Sequence, residues 1–281
     1  MSEKELTFEY CDQLVQEFED VIDNPIQSKS SVYYTGVDLG TACVVVAVLD
    51  ENYKPVAGAY QYADVVRDGM VVDYIGAINI VRKMKQDLEE KLGAELIYAA
   101  AAIPPGTDGL DSGAIKNVVQ AAGFELTNLL DEPTAANAVL KMQNGAVVDI
   151  GGGTTGISIL KDGKVISVVD EPTGGTHFSL VISGAYKMDF AEADLYKRDE
   201  KNHKELLPVL KPVVEKVSSI ISQYIKDYDV QEIALVGGTC RLIGIEGIIQ
   251  KQTGIFTHKP KNPMFVTPLG IALSCKQESI D

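Results

Sequence analysis

Tryptophan is absent from this chain of 281 residues, histidine occurs three times and cysteine four. Cys11, Cys43, Cys240 and Cys275 stand alone with no C-x-x-C spacing, so they read as small apolar residues of a reducing compartment. His177, His203 and His258 are scattered and suggest no metal set. No apolar run reaches the ~20 residues of a membrane helix. Residues 1–20 are acidic and amphipathic, which is not the pattern of a secretory leader. Basic residues are in deficit, 25 against 40 acidic ones, for a formal charge of −15. That deficit argues against a nucleic-acid partner, which needs a basic face. It leaves room for a small polyanion, because backbone N–H groups and a divalent cation neutralise such a ligand locally. The expectation is a cytoplasmic protein with neither a membrane nor a nucleic acid as partner.

What is present is a core-forming chain, 46% hydrophobic, too apolar for a disordered protein. Leu14, Phe18, Val21 and Ile22 share one face of an N-terminal helix that ends near Asn24-Pro25, and a polar linker, 27–31, follows. The stripe can pack on its own domain, the commoner outcome, or dock on a partner or a compartment lumen. Strands are expected at 32–37, 43–49, 55–62, 96–103 and 124–130, the fourth stopped by Pro104-Pro105-Gly106, with helices at 74–92, 110–122 and 133–142. Asn144-Gly145 marks a break, after which the plan restarts. Strands fall at 146–150, 157–160, 165–170 and 233–236, with helices at 178–188, 191–197, 206–228, 243–253 and 267–276. Lys161-Asp162-Gly163-Lys164 is a hairpin turn of the Asp-Gly kind. The domain reading is 1–31 for the N-terminal helix and linker, 32–144 and 145–266 for two α/β domains, and 267–281 for a C-terminal helix returning to the first.

The two halves repeat one local design. Val37-Asp38-Leu39-Gly40-Thr41 and Val148-Asp149-Ile150-Gly151 each end an apolar strand in Asp and a glycine turn before a second strand begins. A glycine turn presents successive N–H groups without side chains in the way and so forms a nest for anions. An Asp beside such a nest repels phosphate unless a cation lies between them, and hard carboxylate oxygens suit hydrated Mg²⁺. Either turn alone is more often an ordinary hairpin. Gly151, Gly153 and Gly156 also match G-x-G-x-x-G, with Asp170 at the distance of a ribose acid. That dinucleotide reading needs a helix directly after the glycines, whereas 157–160 alternates as a strand. No G-x-x-x-x-G-K-[ST] is present, so the chain is not a P-loop NTPase.

With both turns in hand, residues 32–276 resemble the actin, heat-shock-chaperone and sugar-kinase ATPase superfamily. Gly36-Val37-Asp38-Leu39-Gly40-Thr41 is similar to its first phosphate motif and Val148-Asp149-Ile150-Gly151-Gly152-Gly153-Thr154 to its second. Asp131-Glu132-Pro133-Thr134-Ala135-Ala136 resembles the connecting motif of the chaperone branch, and Leu235-Val236-Gly237-Gly238-Thr239-Cys240-Arg241 its adenosine motif. The resemblance implies duplicated ribonuclease-H-like domains with a nucleotide cleft between them, binding ATP or ADP with Mg²⁺. It also implies roles: Asp38 and Asp149 hold the metal through its waters, Gly40, Thr41, Gly151, Gly152, Gly153 and Thr154 meet the phosphates, and Glu132 orients the attacking water. Glu132 also suits the helix dipole ahead of Pro133. Gly237 and Gly238 let the backbone approach the ribose, Arg241 stacks on adenine, and Gly174-Gly175 resembles a further nucleotide turn. Arg241 is otherwise a solvated cation at a helix start. Asp194 and Lys197 fall where relatives carry an acid and a lysine around the adenosine, and they fit a plain i,i+3 ion pair equally well.

Departures from the family limit what it implies. Gly156 stands where the heat-shock chaperones carry a further aspartate, and no counterpart of their catalytic lysine follows the third strand. Arg67 in Val65-Val66-Arg67-Asp68-Gly69 looks more like the bacterial actins. Slow hydrolysis, a weak Mg-dependent ATPase at most, is the expectation. The peptide-binding domain of those chaperones is expected to be missing after Asp281, and the stretch from Gly175 to Val236 is short for the usual extra subdomain. Within the superfamily the chain is most similar to the chaperone-like companions of ethanolamine-utilisation microcompartments. The expected function is therefore nucleotide-dependent assistance to protein clients or microcompartment components. A filament subunit like the bacterial actins and a small-molecule kinase are the alternatives.

Overall fold

The computed structural model describes residues 3–27, 30–67, 69–104 and 109–277. The first part of the chain runs α1 (Glu3–Asp23), β1 (Tyr34–Leu39), β2 (Cys43–Leu49), β3 (Pro55–Tyr62), β4 (Val66–Arg67), β5 (Met70–Val71), α2 (Tyr74–Leu92), β6 (Tyr98–Ile103), α3 (Gly109–Ala121), β7 (Glu125–Asp131) and α4 (Glu132–Leu140). It continues through β8 (Gly145–Ile150), β9 (Thr155–Lys161), β10 (Lys164–Glu171), α5 (Gly175–Tyr186), α6 (Phe190–Arg198), α7 (His203–Ile225), β11 (Glu232–Val236), α8 (Ile245–Thr253), β12 (Phe256–His258) and α9 (Val266–Ser274). The chain divides into two compact units, one of residues 1–141 and 265–281, the other of residues 142–264.

The first unit is built on a five-stranded sheet in the order β3-β2-β1-β6-β7. β1, β2 and β3 form an antiparallel meander, while β1, β6 and β7 run parallel. Six of the seven residues of β2 are buried, as expected of a strand covered on both faces. On one face Val37, Val44, Val46 and Val48 form a core with Val81, Leu88, Val118 and Val119 from α2 and α3. On the other face lie α1, α4 and α9. Cys11, Val15 and Phe18 of α1 are fully buried, and the Phe18 ring meets Phe265 edge-on at 5.1 Å. The apolar stripe of α1 is thus spent on its own unit. α9 approaches so closely because two glycines allow it. A Cβ on Gly36 would lie 2.5 Å from the Ala272 nitrogen, and one on Gly270 would lie 1.7 Å from the Ala135 oxygen.

The second unit repeats the sheet plan as β10-β9-β8-β11-β12, with β8, β11 and β12 parallel and β8, β9 and β10 antiparallel. The β9–β10 turn places both Asp162 and Gly163 at positive φ, 51° and 73°, the conformation that an Asp-Gly hairpin favours. Ile150, Ile157, Phe178, Leu206, Leu210, Val214, Ile221 and Leu235 form its core. α7 carries Pro208 and Pro212 in its interior. Both fall on the exposed side, where the carbonyls they leave without a helical donor reach water.

Three elements add to the sequence reading: the two-residue strands β4 and β5, and the short β12. α4 stops at Leu140, two residues short of the expected end, because Lys141 adopts φ 53° and caps the helix in the left-handed region. Ser28, Lys29, Pro105 and Gly106, from the expected linker and strand stop, lie outside the described residues. Among the described residues no helix is long and apolar enough to cross a membrane.

Candidate functional site

In open parallel sheets ligands bind beyond the carboxyl ends of the strands, and both units gather their distinctive residues there. In the first unit, β1, β6 and β7 run parallel, with Val37 beside Ala101 and Ile103 beside Asp131. The register therefore sets Asp38, the turn at residues 40–42, and the Asp131-Glu132 junction on one edge of one sheet. Asp38 and Thr41 are half-buried. Asp131 caps α4, accepting from the Thr134 amide at 2.9 Å and the Thr134 hydroxyl at 2.7 Å. The cap is Asp131's task, and Glu132 stands in the first turn of α4. Ala135 and Ala136 are buried where α9 crosses α4, which explains their small size in the Asp-Glu-Pro-Thr-Ala-Ala run.

In the second unit the turn between β8 and β9 is held from two sides. The Gly151 carbonyl accepts from the Gly175 amide at 2.9 Å and the Thr239 hydroxyl at 2.8 Å. The Gly152 carbonyl accepts from the Thr176 amide at 2.8 Å and the Thr176 hydroxyl at 3.0 Å. By contrast, the amides of Gly152, Gly153 and Thr154 donate to no protein acceptor among the described residues. A row of unsatisfied N–H groups is costly unless water or an anion meets it. Gly174 lies backbone-to-backbone on this turn, since a Cβ there would sit 2.6 Å from the Gly153 carbonyl carbon.

Asp149 is the penultimate residue of β8, just before this turn, and Gly237 packs against it. With φ 91°, a Cβ at Gly237 would lie 2.2 Å from an Asp149 carboxylate oxygen. Burial, and secondarily the charge of Asp170, push the Asp149 carboxyl up to about 6. Burial, with Asp149 adding to it, also raises the neighbouring Cys240 thiol. A half-buried carboxylate with a second acid near it is a fitting donor for a hard, hydrated divalent cation. Among the described residues no group of three or more His, Cys, Asp or Glu is arranged to hold a metal.

Lys197 and Asp194 do form the i,i+3 pair, at 2.8 Å. Lys197 further donates to the Gly175 carbonyl at 2.9 Å and the Ser179 hydroxyl at 2.7 Å. Its three donors are thereby used inside the unit. Burial tends to raise the Asp194 carboxyl, yet Lys197, Ser179 and Arg198 outweigh that and hold it below the usual carboxylate range. The Arg241 guanidinium pairs with Glu200 at 2.9 Å. The structure thus brings Asp149, Gly151, Gly152, Gly153, Thr154, Gly174, Gly175, Gly237 and the Asp194–Lys197 pair to one edge of the second unit. Thr176 and Ser179 belong to the same cluster and escaped the sequence reading, which held Thr239 only as a member of the adenosine-like motif.

A family model for the type IV pilus assembly protein PilM matches residues 117–265. The ethanolamine utilization protein EutJ of Salmonella typhimurium is 45% identical over 242 residues, 86% of this chain and 85% of that protein. The chain belongs to the EutJ family. The crystal structure of EutJ from Carboxydothermus hydrogenoformans agrees with this EutJ-family fold at a TM-score of 0.91 and 46% identity, over 95% of this chain and 99% of that one. MreB5 of Spiroplasma citri, solved bound to ADP, matches at a TM-score of 0.69 and 17% identity, covering 86% and 96% of the two chains. A chaperone HscA homologue of Vibrio atlanticus is 25% identical over 240 residues, 69% of this chain and 39% of that protein. The EutJ-family chain therefore has the actin-like ATPase fold, in two α/β units of related plan.

Proposed function

We propose that this EutJ-family chain is an ATP-binding, slowly hydrolysing, chaperone-like protein that assists assembly of ethanolamine-utilization proteins, microcompartment components among them. The observation that carries the nucleotide part is the Gly151–Thr154 turn. The Gly151 and Gly152 carbonyls are satisfied within the protein, while the Gly152, Gly153 and Thr154 amides, which follow Asp149 in the chain, have no protein partner among the described residues. In this reading Asp38 and Asp149 orient the waters of Mg²⁺, and Thr41 and Thr154 donate to the β- and γ-phosphates. Glu132 orients the attacking water or accepts its proton. Mg²⁺, when bound, neutralises phosphate charge as the leaving oxygen departs. Gly237 and Gly238 let the ribose approach the backbone, and Arg241 reaches adenine by leaving Glu200. The assembly role draws on the name of the EutJ relatives, and a cytoplasmic location fits it.

Titration of the full chain with ATP, with and without Mg²⁺, tests the nucleotide reading directly. Asp38→Ala and Asp149→Ala should each weaken Mg-ATP binding about tenfold or more. Glu132→Ala should spare binding and lower phosphate release by about a hundredfold. Wild-type protein that binds neither ATP nor ADP overturns the reading. For the assembly role, nucleotide-dependent co-purification of a named ethanolamine-pathway enzyme or shell protein is the expected result. ATP-dependent light scattering would instead favour a filament, and turnover that rises only with a small acceptor would favour a kinase.

A further inference from the structure

We infer that Thr176 and Thr239 are positioning residues, whose hydroxyl groups aim the Gly152 and Gly153 amides at the β-phosphate of a nucleotide. The inference rests on the nucleotide reading above and adds to it two residues that touch the turn's carbonyls. In a trans peptide the C=O of one residue and the N–H of the next point in opposite directions across a rigid plane, and no cis bond occurs among the described residues. Holding the Gly151 carbonyl therefore fixes the Gly152 amide, and holding the Gly152 carbonyl fixes the Gly153 amide. Both carbonyls are drawn to the first turn of α5, through the Gly175 and Thr176 amides. Each receives one further hydrogen bond from a threonine hydroxyl, Thr239 on Gly151 at 2.8 Å and Thr176 on Gly152 at 3.0 Å. The two freed amides accordingly turn away from α5, and no protein acceptor meets them there among the described residues.

The clamp has a foundation of its own. Lys197 donates to the Gly175 carbonyl, the Ser179 hydroxyl and Asp194, and the Ser179 hydroxyl donates to Asp194 at 2.8 Å. Arg198 completes the pairing of Asp194. This network fixes the start of α5, so the carbonyls are held by a rigid partner. Gly175 leaves the room the clamp needs, because a Cβ there would fall 2.5 Å from the Thr239 hydroxyl. Asp194 and Lys197 thus act on the phosphate turn from behind, through α5, in addition to any contact with adenosine. An aimed pair of amides binds an anion without reorganising, which is where preorganised donors gain over flexible ones.

The experiment compares the full chain with Thr176→Val, Thr239→Val and the double variant, each beside its Thr→Ser counterpart. Isothermal titration with Mg-ADP gives affinity, and amide ¹⁵N shifts of Gly152 and Gly153 during titration with inorganic pyrophosphate report the turn itself. Valine keeps the shape and removes the hydroxyl, so each single Val variant should bind Mg-ADP roughly five- to tenfold more weakly, a typical cost for one hydrogen bond. Serine restores the hydroxyl and should restore affinity, along with the pyrophosphate-dependent shifts that valine abolishes. Equal affinity of wild type and the double Val variant overturns the inference, as does a Ser variant that behaves like its Val counterpart, since only packing would then matter. If the wild type itself binds neither Mg-ADP nor pyrophosphate, the nucleotide reading fails first and the inference falls with it.

Discussion

Asp149 is a carboxylate whose charge its burial disfavours. Its carboxyl titrates near 6, raised by burial and by Asp170, so the folded chain holds a proton that the unfolded chain releases at lower pH. Stability from this group is therefore full at low pH and is lost as pH rises from the ordinary carboxylate range through about 6. A shift of roughly two units corresponds to on the order of 3 kcal/mol. His203 works in the opposite sense. It is buried, with Nε2 donating to the Lys197 carbonyl at 3.0 Å and Nδ1 accepting from the Ile243 amide at 3.3 Å. Burial holds the ring below its ordinary value, so the neutral form is favoured and stability is lost as pH falls below about 6.5. Urea denaturation of ligand-free protein across pH 4 to 8 should show stability falling from the ordinary carboxylate range toward about 6 as Asp149 ionises, offset by the gain of His203 up to about 6.5, with no maximum between the two. Asp149→Asn, which cannot ionise, should raise stability on the alkaline side by up to about 3 kcal/mol and leave the acid side unchanged. If the proposed nucleotide role holds, the same variant should also lose stabilisation by added Mg-ATP, a pairing of gain and loss that a purely structural carboxylate would not produce.

Glycines show how element packing divides from propensity. A methyl at Gly270 would sit 1.7 Å from the Ala135 oxygen at the α4–α9 crossing, whereas one at Gly113 in α3 would meet nothing within 4 Å. Gly270→Ala should therefore cost on the order of 3 kcal/mol by overpacking, while Gly113→Ala should stabilise by about 0.5–1 kcal/mol. Thermal unfolding of the two variants gives shifts of opposite sign if this account is right. Phe18→Ala, which empties the contact of α1 with Gly58 and Phe265, should cost about 3–5 kcal/mol. Periodicity made the longer elements legible, since α1, α2, α7 and the strands β1 to β3 each repeat a buried face over several residues. β4, β5 and β12 were not legible, because two or three residues carry no period and their pairing comes from distant chain. The glycine turns at Gly40 and Gly151 were visible as composition. The hydroxyls that hold the second turn were not, because Thr176 and Thr239 act on carbonyls 24 and 88 residues away, a separation that no local pattern encodes.

The division of the chain makes a sharper claim about cooperativity than the sequence allowed. The second unit, 142–264, is one continuous stretch, whereas the first is assembled from 1–141 and the final residues from 265 onward. Those final residues supply Phe265 beneath Phe18 and the α9 backbone that lies on Gly36 and Ala135. Val266, Leu269, Ile271 and Ala272 of α9 are almost wholly buried, so removing the helix uncovers one face of the first sheet along β1. The second unit's own core runs from Ala146 to Ile249 with Ile255 packed against it, all within 142–264. A chain truncated after Met264 should therefore lose the first unit and keep the second, a partial unfolding of the kind that separate cores permit. Amide hydrogen exchange of the truncated chain should show protection retained in β8, β9, β11 and α7 and lost across β1, β2 and β6. Uniform loss would mean that the second core cannot stand without the first, and uniform protection would mean that α9 is dispensable to the sheet it covers. Either outcome would break the link drawn between the glycine-permitted seat of α9 and the folding of residues 1–141.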